Sequence, residues 1–352
     1  MKRTNKLISF LFIIAISLSV TIIADACNYN TCFSKKQIWK SNNTTMYIST
    51  ISMPPDSEWD IRLQWAMSEW NAVRGSKWKF YVSRDTDRTV SNSNGKNEIY
   101  FIHHSGNELA ITYSRYQCYW FFGIRYGYIE ADIEFNVKYL WTCSTFTGNS
   151  TGSPYNFELV ALHELGHALG LNHSNGRVST MNSYYYNGGP IGHHNQVEPH
   201  ADDRYGLRIL YPDSTTGRNV SASRFHNTGG GASAINSVQT TNGNVVELLE
   251  CNKQYDIRYT VENLGTQDEP SVRVEFYLST NSYISTSDIY LGSTTWSIPK
   301  GSYVTAQKRI TVPNSIATGN YYIGYSVDPH NTIVETDESN NYISLINTVS
   351  IF

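Results

Sequence analysis

Eleven consecutive residues constrain this chain most: His163-Glu164-Leu165-Gly166-His167-Ala168-Leu169-Gly170-Leu171-Asn172-His173. An α-helix here places His163 and His167 about 40° apart around the axis and about 6 Å apart along it, so both imidazoles can reach one metal ion. A continued helix would carry His173 about 15 Å from His163, too far to share that ion. Glycine readily adopts the positive φ that ends a helix, so Gly170 is predicted to turn His173 back. The alternative, a helix with solvated histidines, explains neither Gly170 nor His173.

These residue types have the chemistry of a catalytic zinc centre. Three neutral imidazoles, from His163, His167 and His173, leave the fourth position of tetrahedral Zn²⁺ for water. Glu164 lies next to a ligand and can act as general base on that zinc-activated water. With 10 His and 24 Gly in 352 residues, the whole pattern arises by chance in roughly one chain in 10⁴ or fewer, so it is a specific signal. We therefore predict one catalytic Zn²⁺.

Residues 37–212 combine helical and strand-like patterns. Asp56 is predicted to cap a helix whose apolar residues recur at helical spacing and form a core stripe. Those residues are Trp59, Leu63, Ala66, Trp70 and Val73. A second helix is predicted over residues 157–169, and Asp202-Asp203 opens a third over residues 204–210. Strands are predicted at residues 46–50, 78–82, 98–103, 109–113 and 126–135. The pattern indicates an α/β (α+β) domain with a twisted sheet and an active-site helix.

The composition changes after residue 212. Residues 213–237 are rich in Ser, Thr, Gly and Asn and lack periodicity, which predicts a linker. In residues 238–352 apolar and polar residues alternate, as in Tyr255-Asp256-Ile257-Arg258, and turn sequences separate about seven strand-like runs. The runs are residues 245–249, 255–262, 272–278, 289–296, 304–312, 321–327 and 342–351. This pattern predicts an all-β sandwich domain of the immunoglobulin type.

The histidine motif resembles that of the metzincin zinc endopeptidases, and of the matrixins among them. Three further segments carry the likeness: Ser179-Thr180-Met181 at the matrixin-like distance from His173, Ser174 directly after it, and Asp202-Asp203-Arg204-Tyr205-Gly206-Leu207 in the final helix. Residues 130–136 are similar to the strand before the active-site helix in bacterial members. Residues 240–348 resemble, more weakly, CARDB-type adhesion modules. The resemblance implies a secreted protease with a CARDB-like sandwich.

The matrixin resemblance also implies roles around the metal. Met181 would form an apolar floor beneath the zinc without binding it. Leu109, Ala110, Ile111 and Thr112 resemble the edge strand that pairs with an extended peptide, and a buried, non-catalytic strand is the alternative reading. One of three tyrosines would line the pocket for the side chain after the cleaved bond. They are Tyr184, Tyr185 and Tyr186.

Many matrixins hold a second, structural zinc, and the matching positions here are Ile111 and Glu134. Isoleucine cannot bind a metal, so we expect this second site to be lost. His103 and His104 do not restore four ligands, since neighbours on a strand point to opposite faces.

The N-terminus predicts export. Lys2, Arg3 and Lys6 precede an apolar run and the small-x-small sequence Ala24-Asp25-Ala26, so residues 1–26 are predicted to be a signal peptide. An uncleaved signal anchor and a lipoprotein beginning at Cys27 are the alternatives. Residues 27–36 then form a short N-terminal segment before the catalytic domain.

An oxidising compartment permits disulfides among the five cysteines. One plausible pairing joins Cys118 to Cys143 and Cys27 to Cys32, which leaves Cys251 as a buried thiol. Connectivity does not follow from sequence.

The charge balance limits the partners. With 27 basic and 30 acidic residues and a net charge of −3, there is no basic excess for a phosphate backbone, so a nucleic-acid role is excluded. Protein or peptide substrates are expected. The candidate partners of the C-terminal module are a cell-surface molecule, a matrix component and a carbohydrate. Asp328, Glu335, Asp337 and Glu338 are interpreted as a solvated turn, with calcium (Ca²⁺) the unassigned alternative. The competing function is a catalytically silent scaffold that acts as a secreted adhesion protein.

Overall fold

The computed structural model describes residues 28–29, 31–32, 35–86, 93–118, 126–143, 154–183, 197–227, 233–345 and 348–352. The predicted signal peptide and Tyr184, Tyr185 and Tyr186 lie outside these ranges. Within them, no helix is both long and apolar enough to cross a membrane.

The N-terminal half contains three helices and nine strands in the described ranges. They are β1 (Thr31–Cys32), β2 (Lys35–Lys36), β3 (Asn43–Ser49), α1 (Glu58–Asn71), β4 (Lys79–Asp85), β5 (Asn97–Ile102), β6 (Ala110–Cys118), β7 (Tyr126–Asn136), β8 (Trp141–Thr142), β9 (Tyr155–Asn156), α2 (Phe157–Leu169) and α3 (Ala201–Leu210). The main sheet has the order β4-β3-β5-β7-β6. Its strands are parallel except β6, which pairs antiparallel with β7 at the edge. The predicted α/β architecture is confirmed.

Helices α1 and α2 pack together on this sheet. The predicted stripe on α1 is buried at Leu63, Ala66 and Trp70, and the indole N–H of Trp70 donates to the carbonyl of Leu162 in α2 at 3.0 Å. This contact joins the long helix of the core to the helix that carries the histidines.

Two of the three predicted helix starts need correction, by one residue in α1 and by three residues in α3. The cap of α1 is Ser57, whose hydroxyl accepts from the amide of Asp60, whereas Asp56 has a φ of 61° and lies in the preceding turn. Helix α3 begins at Ala201, because the Asp203 carboxylate reaches back to the amide of His200 at 3.0 Å and satisfies the helix start there.

The C-terminal half is all β in the described residues. Its strands are β10 (Val220–Ser223), β11 (Phe225–Asn227), β12 (Ser233–Ile235), β13 (Val238–Thr240), β14 (Leu248–Leu249), β15 (Gln254–Asn263), β16 (Glu269–Ser279), β17 (Ile289–Ile298), β18 (Tyr303–Thr311), β19 (Gly319–Val327), β20 (Tyr342–Ser344) and β21 (Val349–Ile351). One sheet centres on β15, which pairs with β10, β13 and β18. The other has the order β14-β21-β19-β16-β17, with β20 beside β19.

Aromatic rings fill the space between these two sheets. The ring centroid of Tyr259 lies 4.8 Å from that of Phe276 and 5.6 Å from that of Tyr325. Strand β15 carries Tyr259, and the other sheet carries its partners. The predicted sandwich is therefore confirmed, although residues 342–351 form two short strands rather than one.

The predicted linker is wrong at its centre. Val220–Ser223 is fully buried and pairs with β15, so the sandwich begins inside residues 213–237. Gly217 is also held, because its amide donates to the Thr266 hydroxyl at 3.0 Å. A Ser-rich segment can be a strand here because its alternate side chains, Val220 and Ala222, supply the apolar contacts that the core needs.

Two cysteines differ from the expected pairing. Cys143 is free and buried in the core, so its predicted disulfide with Cys118 is wrong. Cys251 is free as expected, and it packs partly buried against the sandwich core. The Cys27–Cys32 pair lies outside the described side chains.

The acidic turn is not fully solvated, contrary to the prediction. Asp328 is buried and accepts from the Thr332 hydroxyl at 2.6 Å and the Ile333 amide at 2.7 Å. Glu335 accepts from the amide of Val220, and burial raises the pKa of its carboxyl to about 8. Glu335 therefore holds the turn against β10, and Asp328 closes the turn internally.

Candidate metal centre

The turn after α2 forms as the sequence predicts. Gly170 has a φ of 107°, and its amide donates to the carbonyl of His167 at 3.0 Å. The amide of Leu171 donates to the carbonyl of Gly166 at 3.0 Å, which closes the helix end. A Cβ atom at Gly170 would lie 3.0 Å from the Tyr128 ring, so glycine is favoured by space as well as by φ.

The turn brings the three motif histidines together. Their ligand atoms all lie within 4.8 Å of one another. The Nε2 atom of His173 lies 3.3 Å from that of His163 and 3.1 Å from that of His167. Tetrahedral zinc with Zn–N bonds of about 2.0–2.1 Å separates its nitrogen ligands by about 3.3 Å, so the spacing fits one zinc ion.

Backbone carbonyls orient two of the rings. The Nδ1–H of His163 donates to the carbonyl of Thr180 at 2.8 Å, and that of His167 donates to the carbonyl of Leu171 at 2.8 Å. Each bond places the ring hydrogen on Nδ1 and leaves the Nε2 lone pair facing the centre.

The electrostatic setting favours neutral imidazoles. Burial, with the neighbouring His167, lowers the pKa of His163 to about 3. Burial also lowers the pKa of His173. Neutral rings whose lone pairs converge repel one another until a cation lies between them, so this donor set suits a divalent metal.

Glu164 lies on the same helix and faces the edge strand. Its Oε2 atom accepts from the Thr112 hydroxyl at 2.6 Å, and its side chain is buried. Burial raises the pKa of the Glu164 carboxyl, and the Thr112 hydrogen bond opposes that shift. The sequence predicts Thr112 on the edge strand, and only the structure shows that it contacts Glu164.

The segment Ser179-Thr180-Met181, called the methionine turn from here on, packs beneath α2. Met181 is buried, and a Cβ atom at Gly166 would lie 2.3 Å from its sulfur, so only glycine admits this contact. The amide of Ser174, directly after His173, donates to the carbonyl of Met181 at 2.7 Å. The turn thereby holds the segment that carries the third histidine.

Two aspartates of α3 secure this turn. Asp203 accepts from the Ser179 hydroxyl at 2.6 Å and the Thr180 amide at 2.7 Å. Asp202 accepts from the Ser174 hydroxyl at 2.6 Å. From the sequence, both aspartates are predicted only to begin the helix. Their pairing with Ser174 and Ser179 gave no local signal, because more than 20 residues separate the partners.

A cleft of about 590 Å³ opens beside the histidines. Leu109 and Ala110 line it, as do His163, Glu164 and His173. Strand β6, which begins at Ala110, lies at the sheet edge, so a peptide can pair with it. Ile111 is the register partner of Glu134 on β7.

Glu134 already has side-chain partners. Its carboxylate accepts from the Tyr100 hydroxyl and lies 2.7 Å from the Nε2 atom of His104. His103 is exposed. The only group of three or more potential metal-binding side chains in the described ranges is the histidine triad.

Two residues that line the cleft link it to the C-terminal half of the chain, and no sequence pattern identified either of them. They are His200, which precedes α3, and Phe225, which begins β11, a strand that pairs with β12 outside the two sandwich sheets. Phe225 lies within the predicted linker, and no pattern in that segment marks it as part of a cleft.

Comparison with known families assigns both halves of the chain. The Matrixin family model matches residues 38–212, and the CARDB family model matches residues 235–345. Human matrix metalloproteinase-25 is 39% identical over 83 residues, which is 24% of this chain and 14% of that protein. Human matrix metalloproteinase-20 is 27% identical over 190 residues, or 54% of this chain and 35% of that protein. The matched segments thus span well under half of these relatives.

Solved structures give weaker likenesses. A CARDB domain from Pyrococcus furiosus, solved with two metal ions, has a TM-score of 0.27 at 20% identity, covering 39% of this chain and 90% of that domain. High choriolytic enzyme 1, a hatching enzyme zinc-protease from Oryzias latipes, has a TM-score of 0.21 at 18% identity, covering 42% of this chain and 55% of that enzyme. The closer likeness to bacterial matrixins stays a prediction.

Proposed function

Because this chain joins a matrixin domain to a CARDB domain, we propose that it is a secreted zinc-dependent endopeptidase that hydrolyses peptide bonds of extracellular proteins. The observation that carries the proposal is the convergence of three imidazole Nε2 atoms beside a buried carboxylate, in a cleft bounded by a sheet edge. Zinc metalloprotease chemistry is a property of the matrixin family, and the residue roles are part of the proposal.

His163, His167 and His173 would hold the metal through Nε2, and the carbonyls of Thr180 and Leu171 keep two of the rings oriented. A bound zinc supplies a Lewis acid that makes water nucleophilic near neutral pH and stabilises charge on a carbonyl oxygen. Glu164 accepts the proton of the attacking water and passes it to the leaving amine nitrogen. The Thr112 hydroxyl holds the carboxylate of Glu164 in position for both transfers.

The substrate binds as an added strand. Its backbone pairs with the edge formed by Leu109, Ala110, Ile111 and Thr112, so the peptide runs past Glu164. One substrate side chain enters the cleft beside α2. Tyr184, Tyr185 and Tyr186 remain candidates for one wall of that cleft.

Export follows from the predicted signal peptide over residues 1–26, and matrixin and CARDB domains fit an extracellular protein. Protein substrates are the proposed partners of the first domain. The CARDB domain is the proposed binding module, for a surface, matrix or carbohydrate partner.

Activity and metal content test the proposal together. The full chain should contain one zinc and cleave a generic protein substrate until a zinc chelator is added. Glu164→Ala should keep the zinc but lose activity by about 10²–10⁴-fold, the usual cost of losing a general base. His167→Ala should lose both, whereas His330→Ala, in the exposed part of the sandwich, should lose neither.

Three outcomes would contradict the proposal. Full activity in Glu164→Ala would refute its role as general base. Zinc retained by His167→Ala would refute the ligand set. A zinc-loaded wild type without peptidase activity would favour the silent adhesion scaffold instead.

A further inference from the structure

The cleft beside the histidines is built by both domains. His163, Glu164 and His173 line it from the matrixin domain, and Phe225 lines it from the segment that follows strand β10 of the sandwich. Phe225 begins β11, two residues after the buried strand β10 ends at Ser223. A C-terminal domain that made no contact with the matrixin domain would contribute no residue to this cleft.

The sandwich core holds the backbone next to Phe225. The carbonyl of Ser223 accepts from the Tyr325 hydroxyl at 2.5 Å and from the Asn236 amide group at 2.6 Å. The amide of Asn236 donates to the carbonyl of Arg224 at 2.7 Å. The position of Phe225 is therefore determined by the second domain.

His200 connects Phe225 to the matrixin domain. The two rings meet edge to face, with centroids 5.9 Å apart and planes at 89°. The Nδ1 atom of His200 lies 2.8 Å from Glu262 Oε1, and Glu262 Oε2 accepts from the Ala201 amide at 2.8 Å. Since Glu262 belongs to β15, one buried carboxylate of the sandwich holds both the start of α3 and the ring that packs on Phe225.

Arg208 adds further hydrogen bonds between α3 and the sandwich. The guanidinium of Arg208, on α3, donates to the carbonyls of Leu264 and Gly265 in the sandwich at 2.5 and 2.6 Å. Helix α3 also holds the methionine turn through Asp203. The sandwich, α3 and the methionine turn are thus connected by hydrogen bonds on one side of the cleft.

We propose that Phe225, which follows strand β10 of the sandwich, closes one end of the substrate pocket and, with His200, limits the size of the substrate side chain that enters it. This inference rests on the proposed peptidase function and assigns part of its specificity to the second domain. The pocket selects an apolar side chain, since Glu262 balances the charge of His200 and apolar residues line much of the remainder. Those residues are Leu109, Ala110, Tyr155, Leu159, Val160 and Phe225.

Two substitutions of opposite size test the proposal. The full zinc-loaded chain is given peptides that differ only at the residue after the cleaved bond, which is Ala, Leu, Phe or Trp, and kcat/KM is measured. Phe225→Ala should raise the preference for Trp over Leu by about tenfold, because a shortened wall frees the space of several carbons. Phe225→Trp should shift the preference toward Ala by a similar factor. Phe352→Ala, an exposed aromatic of the same domain, should match the wild type.

Binding provides a readout that needs no turnover. Titration calorimetry of cleavage-product peptides with the same four side chains at their N-terminus should give the same order of affinities in each variant. If product affinities shift as described but no variant cleaves, the proposed function fails and the pocket assignment stands. If the wild type cleaves and both Phe225 variants keep its side-chain preference, the pocket assignment is overturned. Should Phe225→Ala unfold, as circular dichroism would show, Phe225→Trp decides alone.

Discussion

Glu262→Gln should destabilise the protein in a pH-dependent way, because Glu262 is the buried partner of His200 across the domain junction. Burial opposes a charge on His200, but the carboxylates of Glu262, Asp203 and Glu198 outweigh it and raise the His200 pKa to about 9. The pKa of Glu262 is lowered, because His200 and the hydrogen bonds to its carboxylate outweigh its burial. The ion pair therefore persists over the neutral pH range.

The expected loss of folding stability follows from the raised pKa of His200. Raising the His200 pKa from 6.5 to about 9 corresponds to about 3 kcal/mol of stability at 1.36 kcal/mol per unit. Breaking a buried ion pair by removing one partner costs about 3–5 kcal/mol, which agrees. Because the folded-state pKa of His200 is the higher one, this stability is complete below pH 6.5 and disappears as the pH rises through about 9.

Urea unfolding of the wild type and Glu262→Gln at pH 6 and at pH 10 measures this difference. The variant should be less stable by about 3 kcal/mol at pH 6, and the gap should narrow markedly at pH 10 because the wild type has lost the charge on His200. Asp256→Asn is the control, because the guanidinium of its partner Arg309 is half exposed, so solvent screens the charge of this pair. Equal destabilisation by Glu262→Gln at both pH values would refute a charged His200.

Three further predictions concern single positions. Thr112→Val should lower kcat about tenfold by releasing the Glu164 carboxylate, and Thr112→Ser, which keeps the hydroxyl, should restore it in a peptidase assay. Gly170→Ala should reduce zinc retention and destabilise the fold by about 1–3 kcal/mol in thermal unfolding, since φ is 107° and the added Cβ would be crowded. Gly95→Ala is the control, because Gly95 also has a positive φ but open space around it, and a smaller loss of stability is expected there. Burial raises the pKa of Cys143 to about 12, so iodoacetamide at pH 8 should not react with this thiol in the native protein. After unfolding without reductant, iodoacetamide should label Cys143, and peptide mapping measures the labelling. Absence of labelling after unfolding would indicate a disulfide.

The metal centre could be predicted because its information is local. Histidines at positions 163, 167 and 173 are close in sequence, and helix geometry with one glycine turn determines where their rings lie. The apolar stripe of α1 and the alternation in β15 and β16 were equally readable, because each face repeats with the period of its backbone.

Short-range rules were less successful at element ends and in polar segments. Asp56 and Ser57 are both good caps by type, and only the backbone after the two prolines selects Ser57. The composition of Val220–Ser223 is typical of a linker. Composition alone cannot show that this segment pairs with an edge of β15. The predicted disulfide of Cys143 failed for a similar reason, since the spacing of cysteines in the sequence does not show that Cys143 is buried in the core.

Sequence alone determined which atoms can hold the metal and which carboxylate lies beside it, since helical periodicity converts their spacing into geometry. Tertiary structure alone decided what surrounds them. Thr112 reaches Glu164 from 52 residues away, and Glu262 reaches His200 from 62 residues away. Phe225 joins the cleft only because the second domain docks on α3. Such contacts depend on how whole elements pack, and packing is a property of complementary surfaces rather than of any local sequence pattern.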